Sequence, residues 1–159
     1  MAVKAYGILI SIGDLFLQHL ILLVFRLHWG WQFYTTGKAK LVNHSDVAAF
    51  FGRLGIPAPS LNAWFVGGLE CIGGVLLMIG LMSRPIALLL SVTMAVAYIS
   101  VEKDREAVLN LFTDPDPFLS AEPFFFLLTA LLVLAFGPGY LSLDAFFKKK
   151  HYDRDDIEL

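Results

Sequence analysis

Four apolar stretches separated by polar connections set the pattern of the chain, at about 15–34, 61–82, 85–101 and 122–136. Roughly 20 apolar residues in a helix cross the ~30 Å hydrocarbon core of a bilayer. The first three stretches come near that length, while the fourth, about fifteen residues, is short. Its flank from Phe118 to Ala121 is therefore expected to enter the headgroup zone and to draw Glu122 towards the membrane. The pattern predicts an all-α membrane protein, a bundle of four transmembrane helices. A short amphipathic helix is expected between the first two, with Ser45-Asp46 as its N-cap, Val47 to Phe51 as its body, and Gly52 and Gly55-Ile56-Pro57-Ala58-Pro59 ending it. Such a helix lies on the membrane surface or lids the bundle.

The connections refine this layout. Gly80 to Pro85 is a tight link with Ser83 as N-cap and Pro85 in the following first turn, which makes the second and third helices an antiparallel hairpin. The mixed charges of Glu102 to Glu106 read as a solvated extension of the third helix, sharing a face with Tyr98, and Asn110 to Pro117 as a loop. Gly137-Pro138-Gly139 ends the fourth helix. Residues 1–14 read as a retained interfacial lead-in bracketed by Lys4 and Asp14. Residues 1–147 form one domain and 148–159 a polar, fraying tail.

Composition agrees with lipid as solvent: 57% of residues are hydrophobic and the mean hydropathy is +0.69. A net charge of −2 gives no field that would recruit nucleic acid. The single cysteine, Cys71, excludes an intrachain disulfide, a CxxC redox motif and a cysteine metal cluster, and reads as a small packing residue. Four crossings put both termini on one side with Arg84. The compact Lys148-Lys149-Lys150 run there and the acidic balance after the third helix put that side in the cytoplasm.

Two charges lie deep in apolar runs, Arg26 and Glu70. Insertion scales put a charge at a helix centre at roughly 2.5 to 3.5 kcal/mol, so each is expected to face protein. At roughly 100° per residue, His19, Arg26, Gly30 and Phe33 share one stripe of the first helix, with Leu22 and Trp29 beside it. Gly67, Gly73 and Gly74 lie on the Glu70 side of the second and permit close approach. The expectation is an Arg26–Glu70 pair between the two helices. It either fixes their register or lines a polar pocket, in which Arg26 donates to a ligand oxygen and Glu70 accepts or relays a proton. Trp29 would supply a flat wall and Glu122 a third polar group. Phe124-Phe125-Phe126 reads as lipid-facing bulk. His19 and His28 fall on opposite sides of one helix, and His44 and His151 lie in a loop and the tail, so neither metal nor haem is expected.

Several motifs resemble the DoxX family of small four-helix membrane proteins. They are Arg26, Gly37-Lys38 with Lys40-Leu41, Gly55-Ile56-Pro57, Glu70 with Gly73-Gly74, Gly80-Leu81, and above all Gly137-Pro138-Gly139-Tyr140-Leu141-Ser142-Leu143-Asp144. The resemblance implies a bacterial plasma-membrane protein and a connection to quinone or thiol redox systems. Its leading implication here is a membrane subunit of a quinone-linked oxidoreductase, with a quinone at the Arg26, Trp29, Glu70 and Glu122 site. An alternative is a non-catalytic scaffold that holds a soluble redox enzyme through the loops and the lysine tail. A small-solute carrier ranks below both, because no inverted repeat is visible.

Overall fold

The computed structural model describes residues 16–155, and the lead-in expected over residues 1–14 lies outside them. Every regular element among the described residues is a helix: α1 Gln18–Val42, α2 His44–Arg53, α3 Pro59–Ile79, α4 Ser83–Ser100, α5 Glu102–Leu109, α6 Asp116–Ser120, α7 Pro123–Phe136 and α8 Leu143–Asp155. By length and composition α3 and α4 can cross a membrane. The 25 residues of α1 are long enough, at about 1.5 Å per residue, but are interrupted by polar side chains. The apolar α7 has only 14 residues.

The first helix continues well past its expected end at Tyr34. Thr35, Thr36 and Gly37 are weak helix formers, but the two threonine hydroxyls bond back to the Gln32 carbonyl at 3.0 and 2.9 Å, and Gly37 packs against the α3 backbone. Tertiary contact overrides local propensity. The most extensive helix contact is α1 with α3, followed by α4 with α7. A Cβ on Gly74 would lie 2.5 Å from the Gly30 carbonyl oxygen and 2.6 Å from the Tyr34 nitrogen, so only glycine allows this approach. Between the two helix pairs lies an apolar core of Phe33, Leu77, Ala87, Leu90, Met94, Ala130 and Val133.

The connections differ from the expected ones in three places. Extended backbone at Val101 (φ −87°, ψ 122°) separates α5 from α4, so the charge run is a helix of its own. The Tyr98 hydroxyl donates to the Phe118 carbonyl at 2.9 Å, tying the α6 region to α4. The tail expected to fray after residue 147 continues as α8 to Asp155.

The outer surface is apolar. Leu20, Ile21, Val24 and Leu27 on α1, Ile72 and Val75 on α3, and Leu88, Val92, Val96 and Ile99 on α4 are all exposed, while Arg26, Glu70, Ser83, Ser91 and Thr129 are buried. In water this distribution would be costly; in hydrocarbon it is the favourable one.

Candidate functional site: two separate polar centres

Arg26 and Glu70 are each about 1% exposed, but they do not meet. Because α1 and α3 run antiparallel, Gly37 sits beside Gly67 and Glu70, whereas Arg26 sits beside Leu77, Met78 and Gly80. Eleven residues of α1 separate these levels, about 16 Å of helix rise. The expected Arg26–Glu70 pair is therefore replaced by two centres at different levels, one at the hairpin end of α3 and one near its middle.

At the first centre Arg26 donates only to backbone carbonyls. Its Nε bonds Leu77 O at 2.9 Å, its Nη2 bonds Met78 O and Leu141 O at 3.1 Å each, and its Nη1 bonds Pro138 O. The Leu77 and Met78 carbonyls belong to the last turn of α3, where helical partners run out and a cation is favoured. The Gly137 to Asp144 segment folds around the same point. Asp144 accepts from the Met82 and Ser83 amides at 2.8 Å each, capping α4, and its own amide donates to Gly80 O at 2.9 Å. The cap expected from the Ser83 side chain thus comes from a carboxylate sixty residues further on. Ser142 Oγ accepts from the Ala145 amide at 3.2 Å, opening α8. This centre joins α1, the α3–α4 hairpin and the α7–α8 link, and commits four of the five guanidinium N–H groups to backbone carbonyls. Arg26 is a structural clamp.

At the second centre Glu70 meets Lys40. Lys40 Nζ donates to Glu70 Oε1 at 2.6 Å and to Oε2 at 2.5 Å. Thr36 Oγ1 lies 3.3 Å from Oε2 and has one proton to divide among that oxygen and the Gln32 and Phe33 carbonyls. The carboxylate is buried, while the Lys40 side chain remains 30% exposed and bridges it to an open space. That space is a cavity of about 660 Å³, bounded by the ends of α1 and α4, the body of α3 and the start of α7. Thr36, Lys40, Glu70 and Glu122 all reach it. Phe50 and Phe51 of α2, with Leu54 just after it, line the cavity, which makes the amphipathic helix a lid. His44 fastens the start of α2, with its Nε2 3.0 Å from Ser60 O and its ring stacked on Trp64 at 4.6 Å.

Of the four residues expected at one site, Glu70 and Glu122 share the cavity and Arg26 and Trp29 stand outside it. Trp29 stacks on Phe125 at 5.2 Å and meets Phe126 edge-on at 5.0 Å, a packing contact between α1 and α7. Phe126 is more than lipid-facing bulk: it packs edge-on against Phe33 at 4.7 Å and lines the cavity. Lys40 was missed as a site residue because it lies beyond the expected end of the first helix at Tyr34. Its signal was present in the spacing Arg26, Gly30, Phe33, Gly37, Lys40, a continuous helical stripe of steps of three and four residues. Among the described residues no cluster of three or more His, Cys, Asp or Glu side chains forms a metal site.

The arrangement defines a membrane-associated helical protein with a lidded cavity and one ion pair at its wall, and the comparisons name its family. The DoxX family profile matches residues 21–103, and the chain belongs to the DoxX family. The match includes Arg26, Lys40 and Glu70 but not Glu122 or the Gly137 to Asp144 segment. The chain is 31% identical over 129 residues to a Bacillus subtilis protein named "Putative oxidoreductase CatD", covering 80% of this chain and 88% of that one. It is 30% identical over 132 residues to an uncharacterized protein of Haemophilus influenzae, covering 80% and 83% respectively. No solved structure matches the chain.

Proposed function

We propose that this chain is the integral membrane subunit of a quinone-linked oxidoreductase system, with four helices crossing a bacterial plasma membrane and both termini in the cytoplasm. The apolar exterior of α1, α3, α4 and α7 supports four crossings, α7 with its 14 residues being the shortest of them. The observation that carries the redox reading is the cavity. Its size is within the roughly 300–1,000 Å³ of small-molecule sites, and its wall is mostly apolar with charged groups at Lys40, Glu70, Lys103, Asp104 and Glu122. The printed name of the Bacillus relative points the same way.

A quinone ring fits this donor set. Lys40 can donate to a ring oxygen while its exposed side chain stays paired with Glu70. Phe126 and the lid residue Phe51 offer apolar faces for the ring. When bound, a quinone supplies a carrier that takes up two electrons and two protons. Lys40 and Glu70 hold and exchange protons at the cavity wall, and Glu122 lies on the same cavity as a further acceptor. With one thiol in the chain, the electrons come from a separate donor, the soluble redox enzyme.

Equilibrium binding of a decyl-tailed benzoquinone to the protein in lipid nanodiscs tests this. Wild type should bind saturably, with about tenfold weaker binding in Lys40→Met and Glu70→Gln, the loss of one charge-assisted hydrogen bond. Trp29→Phe, outside the cavity, should bind as wild type does. Identical, non-saturable uptake in all four proteins would reject the quinone site and favour the scaffold reading.

A further inference from the structure

One border of the cavity is polar, at Lys103, Asp104 and Glu122, and another is apolar. Near the hairpin turn α3 and α4 touch, where a Cβ on Gly73 would lie 3.3 Å from Ile86 and 3.4 Å from Leu90. Farther from the turn they part. Phe65 and Val66 on α3, and Val92 and Val96 on α4, line the cavity between them. Three of these four are also on the outer apolar surface, Phe65 at 58%, Val92 at 54% and Val96 at 48% exposure. A side chain that faces both the cavity and the outside marks an opening. The side chains bordering this one are apolar apart from Thr93, whose hydroxyl is turned back to the Leu89 carbonyl at 3.0 Å, and Lys40 and Glu70 lie inside it.

We infer that the gap between α3 and α4 is a lateral portal, through which an amphiphile with a ring head and a hydrocarbon tail enters from the bilayer. The head reaches the Lys40–Glu70 pair and the tail stays in the gap between Phe65, Val66, Val92 and Val96. This rests on the four-crossing reading above, since only then does the gap face lipid, and it specifies the ligand class. A head without a tail gains nothing from the gap. A long polyisoprenoid tail exceeds the cavity volume and has to leave through an apolar opening. The polar border, by contrast, carries Lys103, Asp104 and Glu122, which disfavour a hydrocarbon tail.

Photolabelling in nanodiscs tests the portal with a phospholipid carrying a diazirine near the end of its acyl chain, read by peptide mass spectrometry. Wild type should be labelled at cavity-wall residues, Glu70 and Met94 among them, as well as at outward positions such as Ile72. Val96→Trp, which widens an outward-facing side chain into the gap, should reduce cavity labelling several-fold and leave Ile72 labelling unchanged. Val92→Trp, one turn away, serves as the second variant should either fold poorly. Labelling confined to outward residues, or cavity labelling that neither tryptophan reduces, would overturn the portal. Competition by a polyisoprenoid quinone, but not by its tailless head, would support both portal and ligand. Cavity labelling that the tryptophans reduce but no quinone competes away would keep the portal and reject the quinone reading.

Discussion

Arg26 donates to four carbonyls from three parts of the chain, the end of α3, Pro138 and Leu141. Only the planar guanidinium fork can serve all of them; an ammonium on a shorter reach cannot. Arg26→Lys should therefore destabilise the protein by about 3 kcal/mol, since hydrogen bonds to charged groups contribute roughly 1.5 to 3 kcal/mol each and more than one is lost. Thermal unfolding in detergent would register this as a lower Tm; an unchanged Tm would remove Arg26 from the clamp. Both buried charges were legible in the sequence, because a charge in a long apolar run must find partners. Which partners they find was not. Depth alone made Arg26 and Glu70 look complementary, whereas the antiparallel register brings Glu70 to Lys40 and Arg26 to carbonyls.

At the scale of elements, the glycines divide into those that hold α1 against α3 and those that do not. Gly74 faces the Gly30 carbonyl and the Tyr34 amide, both backbone groups that cannot move aside. Gly68, six residues away on the same helix, would present a Cβ to open space. Gly74→Ala should therefore cost about 1 to 3 kcal/mol by forcing the helices apart. Gly68→Ala should be neutral or stabilising by up to about 1 kcal/mol, through helix propensity alone. Comparing the two midpoints in one detergent checks this, and equal effects would contradict the close packing. The α3–α4 hairpin and the amphipathic α2 were readable from glycines, prolines and polarity. The extension of α1 to Val42 was not, because Thr35 to Gly37 continue as helix only by virtue of what they pack against.

For the whole molecule, the proposed four crossings would put the α5–α6 connection and the C-terminal helix on opposite sides of the membrane. In a Cys71→Ser background, Phe112→Cys, at a position 99% exposed, should react with a membrane-impermeant maleimide from outside intact cells. Lys149→Cys on α8 should react only after the membrane is opened. Labelling of both positions from the same side would refute four crossings. With the termini in the cytoplasm as proposed, the clamp would lie towards the cytoplasmic side and the cavity would open towards the outer side.

The sequence by itself determined that the chain is helical, where most of its helices lie, which residues face inward, and its family. These follow from local periodicity, from turn residues and from the cost of charge in hydrocarbon, all carried by neighbours in the chain. The tertiary structure decided who meets whom. It joined Lys40 to Glu70, wrapped Gly137 to Asp144 around Arg26, and opened the space between α3 and α4 that connects Glu70 to Glu122. Each depends on helix register and splay, which are fixed by packing between residues far apart in sequence and so leave little trace in any one segment.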